Sequence, residues 1–122
     1  MATRAITTGK SGPGTYKATW TGLLNTDDGA PWSEDGGSSS FADKVAHVTG
    51  TFGVGGTVVI EGSNDGVNWA VLNDPTGVAI ALNATSPLSG ILENPLNIRP
   101  RVSAGDGTTN LTVVINGRTI IV

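Results

Sequence analysis

Apolar and polar side chains alternate with a period of two along much of the chain. Tyr16, Ala18 and Trp20 fall on one side and Lys17, Thr19 and Thr21 on the other. Ala46, Val48, Gly50 and Phe52 form a second such row against His47, Thr49 and Thr51. A period of two is the mark of a strand with one face in a core and one in water. The same reading gives strands at Thr57–Glu61, Asn68–Leu72, Gly77–Leu82, Leu88–Glu93, Ile98–Ser103, Leu111–Ile115 and Arg118–Val122, about nine in all. The last of these, ending Thr119-Ile120-Ile121-Val122, is apolar on both faces, so it should be central or covered by a neighbour.

Turn chemistry separates these runs. Asn64-Asp65-Gly66 and Asn116-Gly117 supply residues that accept positive φ, and the second pair reads as a two-residue hairpin. Asp74-Pro75-Thr76-Gly77 has proline at the second position of a turn, and Gly105-Asp106-Gly107 opens another loop. Pro100, between Arg99 and Arg101, predicts an edge strand or a bulge there. Short strands, regular turns and no helical period define an all-β protein: an antiparallel β-sandwich, jelly-roll or Greek-key-like.

Two stretches break the pattern. Residues 1–14 carry Gly9, Gly12, Pro13 and Gly14 without alternation and read as a flexible N-terminal arm ahead of a single domain over 15–122. Residues 25–43 form a long acidic Gly/Ser-rich loop with Asp27, Asp28, Glu34, Asp35 and Asp43 and the run Gly36-Gly37-Ser38-Ser39-Ser40. Loops of that length inside a compact domain are usually functional or disordered.

Composition narrows the chemistry. The chain has 122 residues, 38% apolar and 14% charged, with net charge -3, 18 glycines, one histidine and no cysteine. One domain is expected at this length. Sparse bases argue against nucleic acid, which is gripped by clustered Lys and Arg. No apolar run approaches the ~20 residues of a membrane helix. Without cysteine there is no disulfide, thiolate or cysteine zinc site. The start has no apolar signal segment, so a complete chain would work in the cytoplasm or leave by lysis. The sequons at Asn83 and Asn110 then read as chance matches in a Thr-rich chain.

Candidate chemistry is thin. The acidic loop lacks the ligand spacing of an EF-hand, and a solvated loop explains its carboxylates. Glu61, Asp65 and Glu93 are generic carboxylates for hydrolysis, with Asp65 better explained by its turn. His47 reads as a surface residue, since no serine lies in a nucleophile elbow. Gly50, Gly53, Gly55 and Gly56 fit a wide turn and no phosphate-binding motif. Neither a catalytic, a cofactor nor a metal site is expected. Trp20 and Trp69 are expected in the core. Trp32 and Phe41, at either side of the acidic loop, are open to two readings: contact residues for a partner, or rings that fold back and cap the sandwich.

The stretch Glu61-Gly62-Ser63-Asn64-Asp65-Gly66, followed by Trp69, Leu72 and Asp74, resembles small virion proteins of tailed bacteriophages. Asn97-Ile98-Arg99-Pro100-Arg101-Val102-Ser103-Ala104-Gly105-Asp106-Gly107 resembles the same proteins. The likeness covers residues 57–115. It implies a capsid decoration (cement) protein that sits on the phage capsid surface. Such a protein binds the major capsid protein and bridges neighbouring subunits as a homo-oligomer, a trimer above all. The implied place is the virion, assembled in the host cytoplasm, with no nucleic acid, membrane or cofactor as partner. A 14-residue arm spans about 46 Å when extended, far beyond the ~14 Å radius of gyration of such a domain. Arg4, Ile6 and Lys10 on that arm, with Trp32 and Phe41, are the expected partner interface. A carbohydrate-binding module stacking sugar on Trp32 and a tail or fibre adaptor domain contacting host glycans are the alternatives.

Overall fold

A computed structural model describes residues 1–33 and 41–119. The described residues fold as ten strands in two packed, mostly antiparallel sheets, with no helix among them. The strands are β1 (Thr3–Arg4), β2 (Ile6–Gly12), β3 (Thr15–Leu24), β4 (Asp28–Gly29) and β5 (Phe41–Thr51). They continue with β6 (Thr57–Ser63), β7 (Ala70–Val71), β8 (Leu88–Ile91), β9 (Asn97–Ala104) and β10 (Asn110–Thr119). One sheet has the order β1-β4-β9-β6-β7, the other β2-β3-β10-β5-β8. The expected β-sandwich is therefore present.

Alternation decides which side chains meet between the sheets. Along β9, Ile98, Pro100 and Val102 point inward while Arg99 and Arg101 point out. Along β5, Ala46 and Val48 are buried and His47, Thr49 and Thr51 exposed. Trp20, Trp32, Leu23, Ile60, Leu82, Ile98, Leu111 and Ile115 are the largest fully enclosed side chains among the described residues. Removing their apolar area from water drives the assembly.

The N-terminal residues are not a free arm. Residues 6–12 pair antiparallel with β3, placing Ile6 opposite Trp20 and Lys10 opposite Tyr16. Residues 3–4 cross to the other sheet and run parallel to β4. The described part of the acidic loop is likewise built in, because Asp27 and Asp28 are buried at its entry. Glu34, Asp35 and the run 36–40 lie outside the described residues, as do Ile120, Ile121 and Val122 of the expected last strand.

Asn116-Gly117 is no hairpin. Both residues lie inside β10, opposite Lys17 and Tyr16 of β3 and Val45 and Lys44 of β5. Glycine is required at 117 for a different reason: a Cβ there would stand 2.7 Å from the Phe41 side chain. The expected strand at Gly77–Leu82 is an irregular crossing segment, tied on by single bridges from Leu82 to Val58 and from Ala79 to Asn73. Of the expected strand at 68–72, only Ala70–Val71 pairs with β6.

Of the two expectations for the Pro100 strand, the edge position is not found, since β9 runs between β4 and β6. A bulge is found: the pairing with β6 shifts between Val58↔Val102 and Thr57↔Ala104, and Pro100 itself stays paired. Its missing N–H costs nothing for two reasons. The Ile60 carbonyl opposite it accepts from Leu72 N on the far side of β6. On the other flank, β4 is two residues long and meets β9 at Arg101.

Lys44 points inward from β5 and is almost wholly buried. Its Nζ donates to the Phe41 carbonyl and to Asn94 Oδ1. Burial pushes its amine down from the ordinary 10.5 to about 8, with the Asp43 carboxylate pulling the other way. Between those values the unfolded chain holds a proton that the folded chain has released. Stability should therefore rise with pH across that window. Urea midpoints at pH 7.5 and 10 check this against Lys44→Met, which should lack that rise.

Candidate interaction surface

The outer face of the first sheet carries a connected set of charges. Arg99 and Arg101 lie two apart on β9, so both project from the same side. Glu61 pairs directly with Arg99 in the β6–β9 register and reaches Arg101 on the diagonal. Its two oxygens accept from Arg99 Nε at 3.0 Å and Arg101 Nε at 2.9 Å. Arg99 Nη1 also meets Asp28 Oδ2 at 3.3 Å, and its guanidinium carbon lies 4.1 Å from the Trp69 ring centroid. Such stacking on an aromatic face suits arginine better than lysine.

Trp69 is held there by the turn before it. Asp65 accepts from Val67 N, Asn68 N, Asn68 Nδ2 and Ser63 Oγ. The Asn68 backbone bond, then its side-chain amide, hold the Asp65 carboxyl well below the usual range. Gly66 takes φ 76°, a conformation glycine adopts without steric cost. The turn is thus fixed by its own residues. Trp69 itself is half-buried on the surface, where the core had been expected to take it.

At the sheet's other end Asp27 clamps the N-terminus. Its carboxylate accepts from Ala2 N at 2.8 Å, Arg4 Nε at 2.8 Å and Leu24 N at 3.0 Å. Thr3 Oγ1 donates to Asp28 Oδ1 at 2.7 Å. Burial alone would raise the Asp27 carboxyl, but the bonds from Leu24, Arg4 and Ala2 outweigh it and hold the group low.

The five expected contact residues are dispersed. Arg4 pairs with Asp27 at the edge of the first sheet, in register with the core-facing Gly29 and so on the other side of the sheet from Arg99 and Arg101. Ile6 packs half-buried against the core from the other sheet, and Lys10 is exposed there. Trp32 and Phe41 retain only 2% and 4% of their surface and stack on each other at 5.3 Å. The reading of these two as contact residues is corrected: their rings are core, with Tyr16 on the far side of Phe41. Glu61, Asp65 and Glu93 do not converge on one another's partners. Glu93 accepts from Asn73 N and Nδ2, while Glu61 belongs to the arginines. His47 is exposed beside Leu88, and Asp43 pairs with Arg118.

Comparison with protein-family models, with curated proteins and with solved structures finds no match in any of the three.

Proposed function

We propose that this chain is a structural virion protein of the decoration class, which binds the outer capsid shell of a tailed phage. In this reading it contacts the major capsid protein, bridges neighbouring subunits and acts as a homo-oligomer, with a trimer favoured. One observation carries the proposal. The two stretches with phage-virion character, 57–74 and 97–107, contain the paired strands β6 and β9 of one sheet, in register from Val58↔Val102 to Ser63↔Asn97. They jointly build the face that bears Trp69, Arg99 and Glu61. A resemblance in two separate pieces of sequence thus corresponds to one surface.

The gripping element changes with the fold. A built-in N-terminus cannot act as a free arm, so the rigid sheet face takes that role. The sugar-binding alternative rested on Trp32, whose ring is inside, and no further observation favours it.

The test is co-sedimentation of purified protein with empty phage shells, followed by immunogold labelling of intact particles. Saturable pelleting and label over the head are expected. Label confined to the tail supports the adaptor reading and overturns this one. Failure to pellet overturns it as well.

A further inference from the structure

Lys44 is a buried amine for which the binding face has no use. It points inward from β5, opposite Ile91 of β8 and Gly117 of β10, with 2% of its surface exposed. Its Nζ donates to two neutral oxygens, the Phe41 carbonyl and Asn94 Oδ1. No carboxylate among the described residues meets it: Asp43 turns outward to Arg118, and Glu93 is taken up by Asn73. The other buried charges, Asp27, Asp28 and Glu61, each have an arginine. A buried ammonium held only by neutral groups is costly, and a group so placed tends to give up its charge.

Burial already brings this amine down to about 8. Near that pH about half of the molecules carry it as free base, the nucleophilic form. The Asn94 side chain is an acyl group in contact with it. An Nζ resting on Oδ1 stands beside Cγ, the carbon to which that oxygen is bonded. The Phe41 carbonyl pins the amine in this place. Folding thus settles in advance the encounter that makes aminolysis of an amide slow in water.

From this contact we infer that Lys44 and Asn94 become joined by an isopeptide bond after the chain has folded. The Nζ lone pair attacks Asn94 Cγ; the Nζ–Cγ bond forms and the Cγ–Nδ2 bond breaks. One Nζ proton passes to Nδ2, which leaves as ammonia, so the step balances without oxidant, reductant or third reactant. The product keeps one Nζ–H, which still has the Phe41 carbonyl as its acceptor. Asn94 is exposed, which gives the ammonia a way out. The buried amine is replaced by a neutral amide, and that relief favours the product.

The bond ties β5 of the second sheet to the segment that leads into β9 of the first. It joins residues 50 positions apart, and a cross-link of that span stabilises mainly by restricting the unfolded chain. The sequence has no cysteine, so this staple is one that a reducing compartment cannot open. It is independent of the decoration reading and is tested without shells.

The experiment is intact-mass spectrometry of the full chain, fresh and after roughly a week at about pH 9, where the free-base amine predominates. Wild type should fall below its sequence mass by one ammonia, whereas Lys44→Met and Asn94→Ala keep theirs. Trypsin digestion of the denatured protein locates the change, because trypsin does not cut after an acylated lysine. Linked protein should resist cleavage after Lys44 and carry the loss in the fragment that also holds Asn94. The linked form should melt about 10 °C above the unlinked one. It should also lack the rise in stability with pH described for Lys44, since no amine remains to titrate.

Wild type still at its sequence mass after that incubation overturns the inference. So does an ammonia loss that Lys44→Met retains, which places the loss at another amide, such as Asn116 before Gly117. Complete cleavage after Lys44 in protein lighter by one ammonia overturns it as well. Should both variants fail to fold, the fragment map of wild type decides, with no mutation required.

Discussion

Replacing Trp32 with alanine should lower stability by about 3–5 kcal/mol, the usual cost of deleting a buried indole. That is a large share of the ~5–15 kcal/mol that holds a domain of this size. The ring stacks on Phe41, and Phe41 contacts Tyr16 at 5.3 Å, so one truncation opens a cavity beside two further aromatic side chains. The backbone bond from Trp32 N to Ile98 O at 2.8 Å anchors this end of the loop to β9. A fall in melting temperature of about 10–20 °C is expected. Trp32→Phe should recover most of it, because a smaller ring still fills part of the site. A contact-residue role makes the opposite forecast, with unchanged melting and weakened binding to shells. Calorimetry of the two variants beside shell co-sedimentation separates the two.

The position of Trp32 also shows where local pattern loses force. Alternation identified β5 and β9 because each has a full row of apolar side chains, Ala46 and Val48 in one, Ile98 and Val102 in the other. Trp32 lies in a stretch with no period, so nothing nearby in sequence fixes whether its ring faces in. The N-terminal strand was hidden for a related reason. The row in register with Trp20, Ala18 and Tyr16 is Ile6, Thr8 and the exposed Lys10, with one apolar member, and β2 is an edge strand joined to β3 through the backbone. Backbone pairing leaves no trace in side-chain polarity. At Asn116-Gly117 a genuine turn signal is overruled by tertiary packing, since Phe41 needs the space above Gly117.

The candidate face was legible only in part. A strand over 98–103 has Arg99 and Arg101 on one side by its period of two. Their partner could not be read, because Glu61 meets them through a β6–β9 register that links residues 38 and 40 positions apart. A five-residue strand over 68–72 places Trp69 inside. The strand that forms is Ala70–Val71, so the indole belongs to the turn fixed by Asp65 and follows that turn's geometry. Asp27 and Asp28 looked like members of a solvated acidic loop. They are buried because Arg4 and Arg99 come from distant strands to cover them.

Asp27→Ala should release the N-terminal strands. Three donors converge on that carboxylate, and two of them are backbone N–H groups, Ala2 and Leu24. Alanine leaves both without their acceptor and leaves Arg4 without its ion pair. An orphaned donor costs roughly 1–3 kcal/mol, so a loss of about 2–4 kcal/mol is expected once water re-enters the site. The effect should be local first. Trypsin should cut after Arg4 and Lys10 much faster in the variant, since cleavage tracks the population of the opened segment. The acid response gives an independent readout. Because the folded Asp27 carboxyl is held below its ordinary value of 3.8, its contribution is complete well above that value. It is lost as pH falls through the lowered one. Wild type should therefore lose more stability than Asp27→Ala as pH drops from about 5 toward 2, and the two denaturation curves should converge. Equal acid sensitivity together with unchanged cleavage after Lys10 would mean that β1 and β2 are held by their pairing with β4 and β3 alone, with Asp27 a bystander.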